Sequence, residues 1–390
     1  MKLFINILLL VSCLIGILPL QANPDNVRGI WIVRHNLKTP ENIDAMLDFA
    51  KQYQFTDLFV QVRGRGDAYY NSHYEPPAEG LADGFDPLGY LIVKSHNHNF
   101  RIHAWINVLY VWSSEKPPQN KDHLFHRKPE WFVYPTNVDS TAVDSNYSHL
   151  RNEEGIFLSP LIDGVREHTI NVIDDILAQY PLDGLHFDYI RFPGYNFGFA
   201  PEARQDFKEK YILDPIDFKQ DPEDFAASYG HAGYDIFFSR WGEFLRNGLS
   251  TFVDSLTTHV NENYDVILSA AVKPDLHKAH WRFYQEWDKW VEHGWIDWAV
   301  PMNYTPESDR FNLRLENMLR AVNPANLAMG ISLYNQSPNA AIKKTHDIFK
   351  LSMNGRSLKG FVLFSYDQIS QNRDLQRMYT DKILKSEGTK

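Results

Sequence analysis

Eight short apolar runs, spaced along the chain with helix-like stretches between them, restrict this sequence more than any other feature. They are Gly29 to Val33, Asp57 to Val62, Arg101 to Val108, Gly184 to Asp188, Val266 to Val272, Asp297 to Met302, Leu327 to Leu333 and Gly360 to Ser365. Each is too short for a globular helix, and most are bounded by turn or charged residues, so each is expected to be a buried strand. Apolar residues recur at helical spacing in Asn42 to Tyr53, Pro87 to Asn97, Val165 to Gln179, Tyr234 to Asn261 and Asn312 to Val322. Thr39 ahead of Pro40-Glu41-Asn42 is a helix start with Pro in the first turn. Strand and helix alternating eight times is the pattern of an α/β (β/α)8 TIM barrel. A doubly wound open sheet is the main alternative; eight units and the absence of a Gly-rich phosphate loop count against it.

A chain of 390 residues fits one barrel with long loops, or two modest domains. After the eighth run only a short helix, Gln371 to Lys385, and a frayed tail are expected, which leaves no room for a separate C-terminal domain. Residues 1–22 read as a signal peptide: Lys2 is a minimal positive region, Leu3 to Leu20 is almost wholly apolar, and Leu20-Gln21-Ala22 resembles a cleavage site. Asn6, Ser12 and Pro19 interrupt the run and argue against a stable membrane span. Leu10-Val11-Ser12-Cys13 resembles a lipoprotein box, but cleavage there would leave an oily tether, so soluble export is favoured over lipid anchoring through Cys13. The expected organisation is therefore a signal peptide, 1–22, and one barrel domain, 23–390, acting in the periplasm or outside the cell. Cys13 is the only cysteine, so the mature chain has no disulfide and no cysteine nucleophile or ligand. The net charge of −10 argues against a nucleic-acid partner.

Three connections are long: Arg63 to Gly84, Tyr110 to Ile156 and Phe192 to Tyr264. They follow the second, third and fourth strands and would wall the same, C-terminal face, where a barrel puts its chemistry. Thr136 to Glu154, rich in Asn, Asp and Ser, is expected to be a mobile excursion. Strand alternation places Phe59, Gln61 and Arg63 on one side, and likewise His103, Trp105 and Asn107; Gly184, His186 and Asp188; and Ser269, Ala271 and Lys273. The later strands end in Asn303-Tyr304, Tyr334-Asn335 and Tyr366-Asp367. Polar and aromatic ends converging on one rim suit a polyol. The 10 Trp, 20 Tyr and 25 Phe fit sugar stacking, although a large core accounts for most of them.

Glycoside cleavage takes two carboxyl groups across the scissile bond. Asp188, ending the fourth strand, is the first candidate, as nucleophile or base. Glu75, in the Tyr-rich loop after the second strand, is the leading general acid, with Asp275 and Glu307 as lesser ones. Arg63, Asp67, Tyr70, Trp105, Asn107, His186, Arg191, Asn303, Tyr304, Tyr334 and Tyr366 are expected to bind substrate. Asp183 lies at the opposite end of the fourth strand and reads as a turn residue. His96-Asn97-His98 precedes the third strand, on the stability face, and is not read as a metal site. Trp287, Trp290 and Trp295 read as helix packing. No metal and no cofactor is expected.

Motifs spread across nearly the whole mature chain resemble the bacterial glycosyl hydrolase-like family ten. They are RGIW from Arg28, FVQVRGRGDAYY from Phe59, FDPLGYLI from Phe85, HAWINVLYV from His103, LDGLHFDYIRFPG from Leu182, GWIDWAVPMNY from Gly294, MGISLYN from Met329 and KGFVLFSYDQI from Lys359. The resemblance implies a (β/α)8 fold, a glycan substrate, and an active groove lined by Asp188 and the loop carrying Glu75. One relative acts on peptidoglycan glycan strands, so the expected substrate is those strands or another envelope or extracellular polysaccharide. The rival from another class is a glycan-binding barrel without turnover; a metal-dependent hydrolase or deacetylase is disfavoured by the missing ligand cluster.

Overall fold

A computed structural model describes residues 26–96, 98–136, 147–353 and 358–385. The expected signal segment with Cys13, the middle of the His96–His98 motif and most of the Thr136–Glu154 excursion lie outside the described residues. The strands are β1 (Val27–Ile32), β2 (Asp57–Arg63), β3 (Arg101–Asn107), β4 (Tyr110–Trp112), β5 (Ile156–Phe157), β6 (Gly184–Asp188), β7 (Ile267–Val272), β8 (Trp298–Pro301), β9 (Ala328–Ser332) and β10 (Gly360–Phe364). Eight of them pair in parallel in the order β8-β7-β6-β3-β2-β1-β10-β9. Single bridges, Ala299 to Leu327 and Met302 to Gly330, join β8 to β9 and nearly close the ring. Pro301 has no N–H to give to a ladder, and its carbonyl lies against Gly330 of β9. The eight barrel strands are the eight runs expected from the sequence, to within one or two residues at each end.

The strands are legible because both faces are buried: inward side chains fill the barrel and outward ones meet the helices. Trp31, Phe59, Trp105, Ala271, Trp298 and Val362 belong to the inner cluster, whereas Ile30, Leu58, Leu185 and Leu363 join the layer beneath the helices. Gly184 is required on the inner face, because a Cβ there would fall 2.1 Å from Nδ1 of His103. At the N-terminal end of the barrel, Asp57 accepts two hydrogen bonds from Arg101, at 2.7 and 2.9 Å, and lies 3.0 Å from Nε2 of His103. This buried ion cluster spans two neighbouring strands far from the loops that follow them.

The helix Pro40–Gln52 begins as expected, with the Thr39 hydroxyl accepting from the Asn42 N–H. Other helices extend beyond the sequence reading. The helix before β7 runs from Pro222 to Asn263 with a break at Gly230, where φ is +77°. Pro201–Tyr211 and Pro215–Gln220 form helices in the connection after β6, and Pro338–Met353 is the helix between β9 and β10. The small antiparallel pair β4–β5 was not anticipated; it folds the second long connection, the one that follows β3, back over the rim. No helix among the described residues is long and apolar enough to cross a membrane.

Candidate active site

The C-terminal ends of the strands surround a cavity of about 500 Å3. Asp188 ends β6 there and is 7% exposed. Its neighbour Tyr189 adopts a left-handed conformation, φ +53°, which bulky residues rarely accept unless the surroundings impose it. Here they do: the Tyr189 ring stacks on Tyr110 of β4 at 4.5 Å, and the Arg191 guanidinium lies 5.0 Å from its centre. The Tyr189 N–H donates to Oδ1 of Asp188 at 2.7 Å. Among the described residues it is the only hydrogen-bond partner of that carboxyl, which forms no ion pair.

Burial raises the Asp188 pKa more than the Tyr189 N–H, Arg191 and Lys273 lower it, and the carboxyl is pushed up to about 6. Glu154, just before β5, lines the same cavity. It accepts two hydrogen bonds from Nη2 of Arg191, at 3.0 and 2.8 Å. Burial raises this group too, but Arg191, with Lys273 and Arg282 beyond it, outweighs burial and holds Glu154 below the usual glutamate value. Lys273, one residue past β7, is driven down to about 8, by burial first and by Arg191 second. One cavity thus holds two carboxyl groups shifted in opposite directions, the arrangement that separates an acid from a base.

The apolar floor and wall are aromatic. Trp31 sits edge-on to Tyr304 at 6.2 Å, and Tyr304 stacks on Phe364 at 5.6 Å. Trp105 and Tyr334 also line the cavity, and Tyr334 is half exposed at its edge. The Trp105 indole N–H donates to Oδ1 of Asn107 at 2.9 Å, and the Asn107 amide donates to the Gly64 carbonyl at 2.8 Å. Gln61 donates to the same Asn107 oxygen at 3.3 Å and accepts from Arg34 at 3.0 Å. These bonds lock the polar side of the cavity.

Of the residues expected from the sequence, Asp188, Trp105, Asn107, Arg191, Tyr304 and Tyr334 come together here. Glu75 does not. Its carboxylate is fully buried against Arg63, with Nε–Oε2 at 2.8 Å and Nη2–Oε1 at 2.5 Å, and it also lies 3.1 Å from Nε2 of His168. Burial alone would raise Glu75, but Arg63 and His168 overcome it and hold the group well below the carboxylate range. Glu75 and Tyr70 border a separate cavity with Asn71, Ser72 and His73. Arg63 misses the rim because the β2–β3 register shifts between Gln61 and Arg63; such an irregularity re-aims the side chain that follows it. Arg63 instead holds the carbonyls of Asn107 and Val108.

The remaining departures have equally local causes. Asp67 turns back to accept from its own loop, from the Arg65 N–H at 2.7 Å. His186 lies one layer below Asp188: its Nε2 accepts from the Trp31 indole at 3.1 Å, which leaves Nδ1–H to donate to Ser269 at 2.9 Å. Burial and nearby His103 push its pKa well down, so it is a neutral core histidine that positions Trp31. Asn303 alternates away from Tyr304, and its side chain amide donates to the Phe311 carbonyl at 3.1 Å. Tyr366 starts a helix and packs on Phe49 at 5.4 Å. Asp275 caps a helix at Lys278, and Glu307 pairs with Arg310 on the surface. Asp183 accepts from the Ile102 N–H at the opposite end of the barrel, and Trp287 and Trp290 are buried packing residues, as expected.

The sequence reading passed over Glu154, Trp31, Arg34, Tyr110 and Phe364 as site residues. Trp31 could have been found, since it alternates with Gly29 on the inner face. No group of three or more His, Cys, Asp or Glu side chains that could hold a metal occurs among the described residues.

A barrel of this kind, with paired carboxyls and aromatic walls at the C-terminal rim, is the scaffold of glycoside hydrolases. The chain belongs to the glycosyl hydrolase-like 10 family, whose model matches residues 26–350. It is 23% identical to glycosyl hydrolase YngK of Bacillus subtilis over 76% of this chain, and it spans only 58% of that protein's length. It is 22% identical to glycosyl hydrolase DigH of Escherichia coli over 80% of this chain and 74% of that one. Among solved structures, the PgaB glycoside hydrolase domain of Bordetella bronchiseptica superposes with a TM-score of 0.59, covering 92% of this chain and 99% of that chain at 13% identity. The catalytic domain of β-amylase from Paenibacillus polymyxa superposes with a TM-score of 0.60, covering 92% and 98% at 11% identity. Both structural likenesses speak to the fold.

Proposed function

We propose that this protein hydrolyses O-glycosidic bonds in a polysaccharide of the cell envelope or the extracellular space, peptidoglycan glycan strands among them, without a cofactor. The reading rests on one observation: Asp188 and Glu154 share a cavity and are shifted in opposite directions. In this mechanism Asp188 carries the proton and gives it to the leaving-group oxygen. Glu154, kept ionised by Arg191, attacks the anomeric carbon or activates water. The role expected of Asp188 from the sequence is thereby reversed, because burial favours its protonated form. Trp105, Asn107, Tyr304 and Tyr334 hold the sugar rings, while Arg63, Asp67, Tyr70, Glu75, His186, Asn303 and Tyr366 support the scaffold around them. Export through the residue 1–22 segment belongs to the same proposal and is tested by cell fractionation.

Incubation with peptidoglycan strands and a panel of polysaccharides, followed by mass spectrometry, tests the activity. The expected result is reducing-end products with wild type and none with Asp188→Asn or Glu154→Gln, while both variants still bind. Binding without product from the wild-type chain would make it a glycan-binding barrel instead.

A further inference from the structure

The active-site cavity does not end at Asp188. Glu154 and Lys273 also line an adjoining cavity of about 660 Å3, together with Arg151, Tyr195, Arg282 and Phe283. Three cations converge on the ring of Phe283: Nζ of Lys273 lies 4.6 Å from its centre, and the guanidinium carbons of Arg191 and Arg282 lie at 5.2 and 5.3 Å. An aromatic face attracts a cation, but three like charges around one ring repel each other. Of the three, only Arg191 is in ion-pair contact with a carboxylate among the described residues, Glu154 at 2.8 Å. Among the described residues, Lys273 and Arg282 form no ion pair, nor does Arg151, whose guanidinium is spent on the carbonyls of Ser113 and Ser114. Arg191 is 97% buried, and its Nε–H has no acceptor. All this sits in a chain of net charge −10, so general surface charge does not explain it. Tyr195, half exposed in the same arm, offers a flat face for a sugar ring.

We propose that this arm of the groove is a subsite for an acidic sugar, with Lys273 and Arg282 receiving a carboxylate or sulfate borne by the ring next to the cleaved bond. The inference rests on the hydrolase reading for its position along the glycan, but not for the charge preference itself. An anion entering here would relieve the repulsion around Phe283 and gain charge-assisted hydrogen bonds from the half-buried Lys273 and the exposed Arg282.

The test is an array of polysaccharide fragments that includes uronate-bearing and sulfated members, each beside its carboxyl-reduced or desulfated form. It is probed with the wild-type chain, Arg282→Gln and Arg282→Lys, and the same fragments are then assayed for cleavage. Acidic members should bind about tenfold or more tightly than their neutral counterparts, and Arg282→Gln should remove about tenfold of that preference, the scale of one charged hydrogen bond. Arg282→Lys should keep most of it, and affinity for neutral fragments should not change. The uronate and sulfate arms tell the two anions apart. Equal affinity for each pair, binding to no acidic member, or a preference untouched by Arg282→Gln would overturn the proposal. Neutral glycans cut without charge preference would overturn it and leave the hydrolase standing. Acidic fragments bound through Arg282 but never cut would do the reverse.

Discussion

Arg63 closes on Glu75 through two charge-assisted hydrogen bonds, one to each carboxylate oxygen, inside the loop that follows β2. Such a pair is a scaffold and not an acid–base device, since neither partner has a proton to exchange near neutral pH. Removing one partner leaves the other charge buried alone, which costs about 3–5 kcal/mol. Glu75→Gln should therefore lower the unfolding free energy by roughly that amount while the protein that remains folded keeps its kcat. Urea denaturation beside activity per folded molecule checks this. The Glu75 pKa is depressed in the native state, so its stabilisation is present above the unfolded value near 4.5 and is lost as pH falls below it. A Glu75→Gln protein that stays fully stable but loses turnover would return Glu75 to the chemistry.

Asp188 has the opposite character, a buried carboxyl facing a cavity with no cation bonded to it. Asp188→Asn keeps the shape and the acceptor for the Tyr189 N–H but carries no acidic proton. Turnover should fall by about 10²–10⁴-fold, the usual contribution of a positioned acid or base, with fragment affinity changed little. Loss of binding equal to the loss of rate would instead assign Asp188 a purely structural role.

The pH profile follows from the same two groups. Glu154 must be ionised, and its pKa lies below the usual glutamate value; Asp188 must be protonated, and its pKa lies at about 6. In the free enzyme kcat/KM should therefore describe a bell whose alkaline limb falls near pH 6 and whose acid limb lies below 4.5. Lys273 favours the ionised form of Asp188, so Lys273→Met should move the alkaline limb upward. A profile flat to pH 8, or a limb that moves down in that variant, contradicts the assignment.

The strands and the carboxyl at the end of β6 were legible because barrel strands are short, doubly buried and strictly alternating, and Asp188, Trp105 and Asn107 obey that alternation. The errors fall where alternation stops. At Arg63 a register shift intervenes, Asn303 and Tyr304 point opposite ways, and at Tyr366 a helix has begun. Among the loop acids, the Tyr-rich surroundings favoured Glu75, whereas Glu154 closed an Asn-, Asp- and Ser-rich excursion and was passed over. What separates them is tertiary: the β4–β5 pairing returns Glu154 to Arg191, while Glu75 is captured by Arg63 and His168. No local pattern records which of two distant arginines a loop carboxylate will meet.

His186 supplies a last prediction, since it supports the site without entering it. Its ring accepts from Trp31 and donates to Ser269, both in the barrel interior. Replacing it with Leu strands both groups without partners, at about 1–3 kcal/mol for each buried donor or acceptor, and frees Trp31 to tilt, so KM should rise more than kcat falls. The ring also reports on pH. Its native pKa is pushed well below 6.5, so the unfolded chain takes up the proton first, and stability present above pH 6.5 drains away as pH falls. Urea midpoints at pH 7, 6 and 5 should decline in the wild-type chain and decline less steeply in His186→Gln. The same slope in both proteins would show that this histidine is not held neutral by the fold.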